Sequence, residues 1–211
     1  MGKKKKKEKK TERQAFGITV LKAADKRIRK LKKEHEPLIH GNKFWSSSWV
    51  IMDYLERQGL PRKARVMEVG CGWGLAGIYC AKNYGAKVTG LDADPQVFPY
   101  LDLHAKINDV EIKTVCSKFE DIKKKELAKQ DILIGADICF WEEMTDPVYN
   151  MVRKAIQAGV QQVIIADPGR PPFDEMTNRC SAELGAEVKE WEVEDPVKAT
   201  AFLMIAGSLP G

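Results

Sequence analysis

Val66-Met67-Glu68-Val69-Gly70-Cys71-Gly72-Trp73-Gly74 is the stretch that decides the fold. Four residues of buried strand run into a turn of three alternate glycines, and a helix begins at once. Glycine accepts positive φ and carries no Cβ, so the backbone of such a turn can approach a ligand closely beside the unpaired N–H groups of the helix. Asp92 follows 22 residues after Gly70 and ends the next β run, where a carboxylate can accept both hydroxyls of a ribose.

Downstream, strand and helix alternate. Residues 65–69, 87–91, 111–116, 131–136 and 162–166 read as strands, and residues 74–83, 95–107, 143–158 and 172–184 as helices. This rhythm predicts a parallel sheet covered on both faces. The last two β runs, 187–193 and 200–206, are separated by about six residues around Asp195-Pro196. A parallel crossover needs about a dozen, so these two strands are expected to form an antiparallel hairpin.

Upstream, Ser46 to Ser48 offer hydroxyl caps for a helix that runs to Gln58 and stops at Gly59 and Pro61. Apolar residues at Ile18, Leu21, Ile28 and Leu31 predict a basic helix over 16–33, and Pro37 and Gly41 a loop after it. The lysine run over residues 1–10 cannot bury enough apolar area to offset its ordering entropy. The expected organisation is therefore a disordered lysine-rich tail (1–15), a basic helix and loop (16–42) and one domain (43–211).

Composition agrees with one domain, since 211 residues suit a single core. The longest apolar stretch, Ala201 to Gly207, falls far short of the roughly 18 residues of a membrane span. Net charge is +5, but residues 1–34 hold 15 Lys and Arg against 4 Asp and Glu, whereas residues 35–211 hold 20 against 26. The basic share belongs to the amino-terminal segment, and the rest is expected to present an acidic surface. Cys71, Cys80, Cys116, Cys139 and Cys180 form no Cys-x-x-Cys pair, so no disulfide framework and no metal site are expected. No apolar stretch follows the basic start as a secretory signal would require, and a cytoplasmic monomer is expected.

Two cofactor classes use a glycine turn of this kind. Gly72 to Gly77 fits the dinucleotide pattern G-x-G-x-x-G, yet starting at Gly72 shifts strand and helix by two residues. Glu68 would also oppose a pyrophosphate with the wrong sign of charge. An acid, a spacer and G-x-G-x-G over residues 68–74, followed by Asp92, instead resembles the class I, seven-strand S-adenosylmethionine-dependent methyltransferases. The resemblance covers residues 44–207. It implies an α/β fold, a Rossmann-like three-layer sandwich whose seven-stranded, mostly parallel sheet has strand order 3-2-1-4-5-7-6 and ends in an antiparallel hairpin. Phe44-Trp45-Ser46, the run from Gly135 to Glu143, and Ala166-Asp167-Pro168-Gly169-Arg170 are similar to the protein-lysine methyltransferase-like branch, which includes electron-transfer-flavoprotein β-subunit lysine methyltransferase and nicotinamide N-methyltransferase-like proteins. That branch commonly carries Tyr where Phe140 or Trp141 stands here, and no Asn-Pro-Pro-Tyr motif is present.

The resemblance implies S-adenosylmethionine as cofactor and S-adenosylhomocysteine as product. Gly70, Gly72 and Gly74 would underlie the methionine part, Glu68 would hold its ammonium, and Asp92 its ribose. Adenine would lie between Ala93 and Ser117-Lys118-Phe119, with Trp45 along one edge; Phe119 and Trp45 have plain packing as their other reading. Asp94 reads as a helix cap. Asp137 with Phe140 and Trp141, at the carboxyl end of the fourth strand, is the candidate set for the methyl acceptor; Asp137 also touches the cofactor side, and its other reading is a helix cap. Asp167 is the second candidate for the nucleophile, and Arg170 reaches either a carboxylate or the substrate. Cys71 has no basic partner, and His35, His40 and His104 are isolated.

The expected activity is N-methylation, with protein lysine as acceptor. RNA or a small amine is the alternative within the enzyme class, and an inactive binding protein on the same fold the alternative outside it. The basic tail would recruit RNA or an acidic partner.

Overall fold

The computed structural model describes residues 11–39, 41 and 43–208. The lysine run over residues 1–10, read above as disordered, lies outside them, as does His40. Chain order gives β1 (Glu12–Ala15), β2 (Ile18–Leu21), α1 (Lys26–Glu34), α2 (Ser47–Gln58), β3 (Arg65–Val69), α3 (Leu75–Tyr84), β4 (Lys87–Asp92) and α4 (Phe98–Ile107). Then follow β5 (Lys113–Cys116), α5 (Lys124–Leu127), β6 (Ile132–Ala136), α6 (Thr145–Gln157), β7 (Gln162–Asp167), α7 (Pro171–Leu184), β8 (Glu187–Val193) and β9 (Ala199–Gly207).

Seven strands form one sheet in the order β5-β4-β3-β6-β7-β9-β8. The first five are parallel, and β9 runs antiparallel between β7 and β8. Counted from β3, this is the expected order 3-2-1-4-5-7-6. The central strands are buried on both faces, which is why they read as continuous apolar runs rather than alternating ones. Val66, Ile132, Ile134, Ile164 and Ala166 join one core with α2, α3 and α4. Met67, Val69, Leu133, Val163 and Ile165 join the other with α6 and α7.

The amino-terminal segment departs from its reading as a tail and a long helix. Residues 12–15 pair with 18–21 in an antiparallel hairpin, so neither the tail through residue 15 nor the helix from 16 holds. The turn is Phe16-Gly17, with φ of +50° and +71° at its two central residues, the geometry that matches the twist of flanking strands. Helix α1 starts only at Lys26, capped by Asp25, whose carboxylate accepts from the Arg27 N–H at 2.8 Å. The Arg27 guanidinium beside it holds the Asp25 carboxyl down at about 2.

This segment is part of the fold rather than an appendage. Ile18, Leu21 and Ile28 are fully buried in the α3–α4 core. Asn108 accepts from the Thr19 N–H at 2.8 Å and donates to the Thr19 carbonyl at 2.9 Å. His104 accepts from the Leu21 N–H through Nε2 (3.2 Å), and its Nδ1 bonds the Tyr100 carbonyl (2.7 Å). Burial holds His104 at about 4, so the ring is neutral and has one acceptor nitrogen to offer β2. The domain boundary expected at residue 43 therefore cuts through a continuous core. At α2, Ser46 makes no side-chain capping bond, contrary to the hydroxyl cap read there.

Candidate active site

The glycine turn joins β3 to α3 at the carboxyl edge of the sheet. Gly70, Gly72 and Gly74 all have positive φ, from +50° to +69°. A Cβ on Gly70 would lie 2.6 Å from Ile138, and one on Gly74 2.6 Å from Leu101, so packing as well as backbone conformation requires glycine at both. At Gly72 the space above the backbone is open.

Two acids brace this turn from below. Glu68 Oε2 accepts from the Gly77 N–H at 2.9 Å and so satisfies a donor in the first turn of α3. Asp92 Oδ2 accepts from the Gly72 N–H at 2.9 Å, and its Oδ1 from the Asp94 N–H at 3.0 Å. Burial pushes Glu68 up to about 8 and outweighs the backbone N–H groups that favour its anion. Burial raises Asp92 as well. Among the described residues neither carboxyl forms an ion pair.

Beyond the turn lies a cavity of ≈ 300 Å³. Trp45, Glu68, Gly70, Gly72, Gly74, Asp92, Ala93, Lys118, Phe119, Asp137, Phe140 and Trp141 all line it. Ser117 does not; its hydroxyl turns back to the Lys118 carbonyl at 3.0 Å. Glu120, three residues further on, lines the wall instead. It lies just beyond the Ser117-Lys118-Phe119 segment named from sequence.

A second group missed from sequence is the strap before α2. Ile39, Gly41, Lys43 and Phe44 line the cavity too. Asp94 caps the turn at Gln96 through Oδ1 (2.9 Å), and its Oδ2 holds the N–H groups of Leu38 (2.6 Å) and Ile39 (3.3 Å). Trp73 Nε1 donates to the Gly41 carbonyl at 2.9 Å, and the indole stacks on Tyr100. The spacing Pro37…Gly41 announced a loop, but not where it lies.

At the end of β6, Asp137 adopts φ +55°, unusual for a residue with a side chain. Its side chain is buried, and Oδ1 accepts from Arg170 Nη1 at 3.0 Å. The same Nη1 donates to Asp167 Oδ2 at 2.6 Å, which decides that Arg170 reaches carboxylates. Asp167 is wholly buried, does not line the cavity, and its Oδ1 accepts from the N–H groups of Gly169 and Arg170 in the loop before α7. Trp45 and Phe140 meet edge to face at 4.9 Å beside Asp137. Cys71 lines the cavity, but burial pushes its thiol well up, away from the nucleophilic thiolate.

The donor set suits a ligand that carries an ammonium, a sulfonium and a ribose diol but no phosphate. Carboxyls flank the turn on β3 and β4, and the turn itself contributes no Lys or Arg. Fold and cavity together are similar to those of the class I, S-adenosylmethionine-dependent methyltransferases. A family model described as a methyltransferase domain matches residues 66–159. Among relatives, it is 24% identical over 139 residues to the electron transfer flavoprotein beta subunit lysine methyltransferase of Xenopus laevis, over 64% of this chain and 56% of that protein. The chain thus spans about half the length of that relative. Among solved structures, the ribosomal protein L11 methylase of Lactobacillus delbrueckii subsp. bulgaricus superposes with a TM-score of 0.58 at 16% identity, over 77% of this chain and 79% of that one. The tRNA (uracil-54, C5)-methyltransferase of Pyrococcus abyssi, solved with S-adenosyl-L-homocysteine, gives 0.58 at 14% identity, over 92% and 42%. Both show the shared fold.

Proposed function

We propose that this chain is an N-methyltransferase that uses S-adenosylmethionine to methylate a lysine side chain of another protein. The observation that carries the reading is the arrangement along the carboxyl edge of the sheet. Asp92 at the end of β4, Glu68 on β3 with the glycines just after it, and Asp137 just after β6 line one cavity, as do Trp45 and Phe140, whose rings meet. The name of the Xenopus laevis relative supports lysine as the acceptor.

When bound, the cofactor supplies a sulfonium-activated methyl group for in-line displacement by an amine. Glu68 and Asp92 would hold its ammonium and its ribose hydroxyls, and Gly72 leaves room for it. Asp137 would accept an N–H of the acceptor and orient its nitrogen toward the methyl group. A free lysine amine, with a pKa of about 10.4, must shed a proton before it attacks. The faces of Trp45 and Phe140 would withdraw it from water while tolerating the cation. Five free cysteines, four of them buried, support a reducing compartment, and the same reading makes the protein a cytoplasmic monomer.

The test is incubation with tritiated S-adenosylmethionine and a cell lysate, split between protease and ribonuclease. Label lost only to protease supports the reading. Label lost only to ribonuclease overturns lysine in favour of RNA, and label that stays with small molecules points to a free amine.

A further inference from the structure

Asp137, Arg170 and Asp167 form a closed chain of contacts behind the cavity wall. Asp167 at the end of β7 is fixed from three sides, by two backbone N–H groups on Oδ1 and by Arg170 Nη1 on Oδ2. Arg170 carries the link to Asp137 Oδ1, while its guanidinium stacks 4.2 Å from the centre of the Phe140 ring and 5.8 Å from that of Trp45. Arg170 itself does not line the cavity; the three groups it touches on that side, Asp137, Phe140 and Trp45, all do. One atom of the cluster is left over. Asp137 Oδ2 is buried and has no hydrogen-bond partner among the described residues.

A buried carboxylate oxygen without a donor leaves its desolvation cost unmet, so its persistence calls for a ligand. The cluster holds two carboxylates and one guanidinium, a formal charge of −1, beside two aromatic faces. A neutral alcohol or phenol would leave that charge uncompensated, whereas an alkylammonium balances it and donates to the oxygen. We infer that Arg170 and Asp167 are positioning residues that hold Asp137 for a cationic amine acceptor, with Asp137 Oδ2 as the oxygen that receives the acceptor's N–H. The inference rests on the methyltransferase reading for the identity of the acceptor's cavity, and assigns to Asp137 alone the contact for which Asp137 and Asp167 both qualify by sequence.

Replacing Arg170 by Gln separates geometry from charge. With no cation between them, two adjacent buried carboxyls share one proton, and the cluster keeps its charge of −1. The tethers on Asp137 Oδ1 and Asp167 Oδ2 are gone, together with the guanidinium's contact with the Phe140 ring. The experiment is titration of the full chain with n-butylammonium, a lysine side-chain mimic, and separately with n-butanol, by NMR with and without S-adenosylhomocysteine. Calorimetry of S-adenosylhomocysteine is run on the same samples. Wild type should bind the ammonium at least about tenfold more tightly than the alcohol, the worth of one charge-assisted hydrogen bond. Asp137→Asn should abolish that preference, Arg170→Gln should weaken ammonium binding about tenfold, and Arg170→Lys should recover most of it. Ammonium binding by Arg170→Gln within twofold of wild type, or tighter, overturns the inference, and so does an alcohol bound as well as the ammonium. Failure of wild type to bind S-adenosylhomocysteine overturns the cofactor reading instead, and the cofactor-free titration still reads the cluster.

Discussion

Glu68 should make the cofactor-free protein lose stability as pH rises across the neutral range. Its carboxyl sits at about 8 in the fold, against an ordinary value of 4.5 in the unfolded chain. The folded state therefore holds the proton more tightly, and the contribution is complete below pH 4.5 and lost as pH rises through 8. The 3.5-unit gap, at 1.36 kcal/mol per unit, is worth about 5 kcal/mol in the limit and about 4 kcal/mol between pH 5 and pH 9. Glu68→Gln is neutral at every pH and keeps an amide oxygen for the Gly77 N–H. Urea unfolding of both proteins at pH 5, 6, 7, 8 and 9 gives the comparison, and the difference between them removes every other titrating group. The variant should gain on wild type by about 4 kcal/mol over this range. Parallel curves, within about 1 kcal/mol, would refute the assignment of a buried, cation-less carboxyl to this position. A second arm follows from the proposed contact with the cofactor's ammonium. At pH 7 about nine-tenths of Glu68 carries a proton, so calorimetry in two buffers should detect about one proton released on binding S-adenosylhomocysteine by wild type beyond that released by Glu68→Gln.

Four further outcomes are expected. Asp92→Asn should weaken S-adenosylhomocysteine binding about tenfold to a hundredfold by calorimetry, the range for a lost charge-assisted hydrogen bond; unchanged affinity removes Asp92 from the cofactor site. Gly77→Ala puts a Cβ 2.6 Å from Glu68 Oε2 and 2.8 Å from Val88 Cγ1, and should cost about 1–3 kcal/mol in urea unfolding. In a Glu68→Ala background that cost should shrink, and strict additivity would show that the two residues do not share the space. His104, held at about 4 in the fold against an ordinary 6.5, loses stability for the protein as pH falls from 6.5 through 4; His104→Gln should flatten that limb in thermal unfolding, and an unchanged limb assigns it elsewhere.

The strand-glycine-helix stretch and the rhythm after it made the sheet legible, including the antiparallel end, because six residues cannot carry a parallel crossover. One wall of the cavity was legible for the same reason: Gly70 to Gly74 follow β3 and Asp92 ends β4, the next strand of the sheet. What the sequence hid depends on contacts between distant segments. Ile18, Leu21, Ile28 and Leu31 fit a helical stripe as well as they fit a β-hairpin followed by a short helix. The decision fell to Phe16-Gly17 turning at positive φ and to Asn108 and His104 pairing with β2 across more than 80 residues. The strap over residues 37–45 was equally silent, since its anchors are backbone groups held by Asp94 and Trp73. Arg170 was visible as a residue without a role, because only the register of β6 against β7 sets Asp137 beside Asp167.

Charge separates the scaffold from the site. Asp25 and Asp131 each lie against an arginine, and the guanidinium holds both carboxyls below their ordinary range. Glu68, Asp92 and Asp167 go the other way, raised chiefly by burial. Two of these three line the cavity, and the third reaches its wall through Arg170. A fold under selection for stability alone has no use for three such carboxyls at one edge of its sheet, since apolar residues there would cost less. Arg170 offsets that cost at Asp167, and backbone N–H groups offset part of it at Glu68 and Asp92, where a cation that arrives with a ligand would offset the rest. The acidic balance of residues 35–211 therefore has a local origin as well as a global one: Glu68, Asp92, Glu120 and Asp137 line a cavity whose lysines are Lys43 and Lys118.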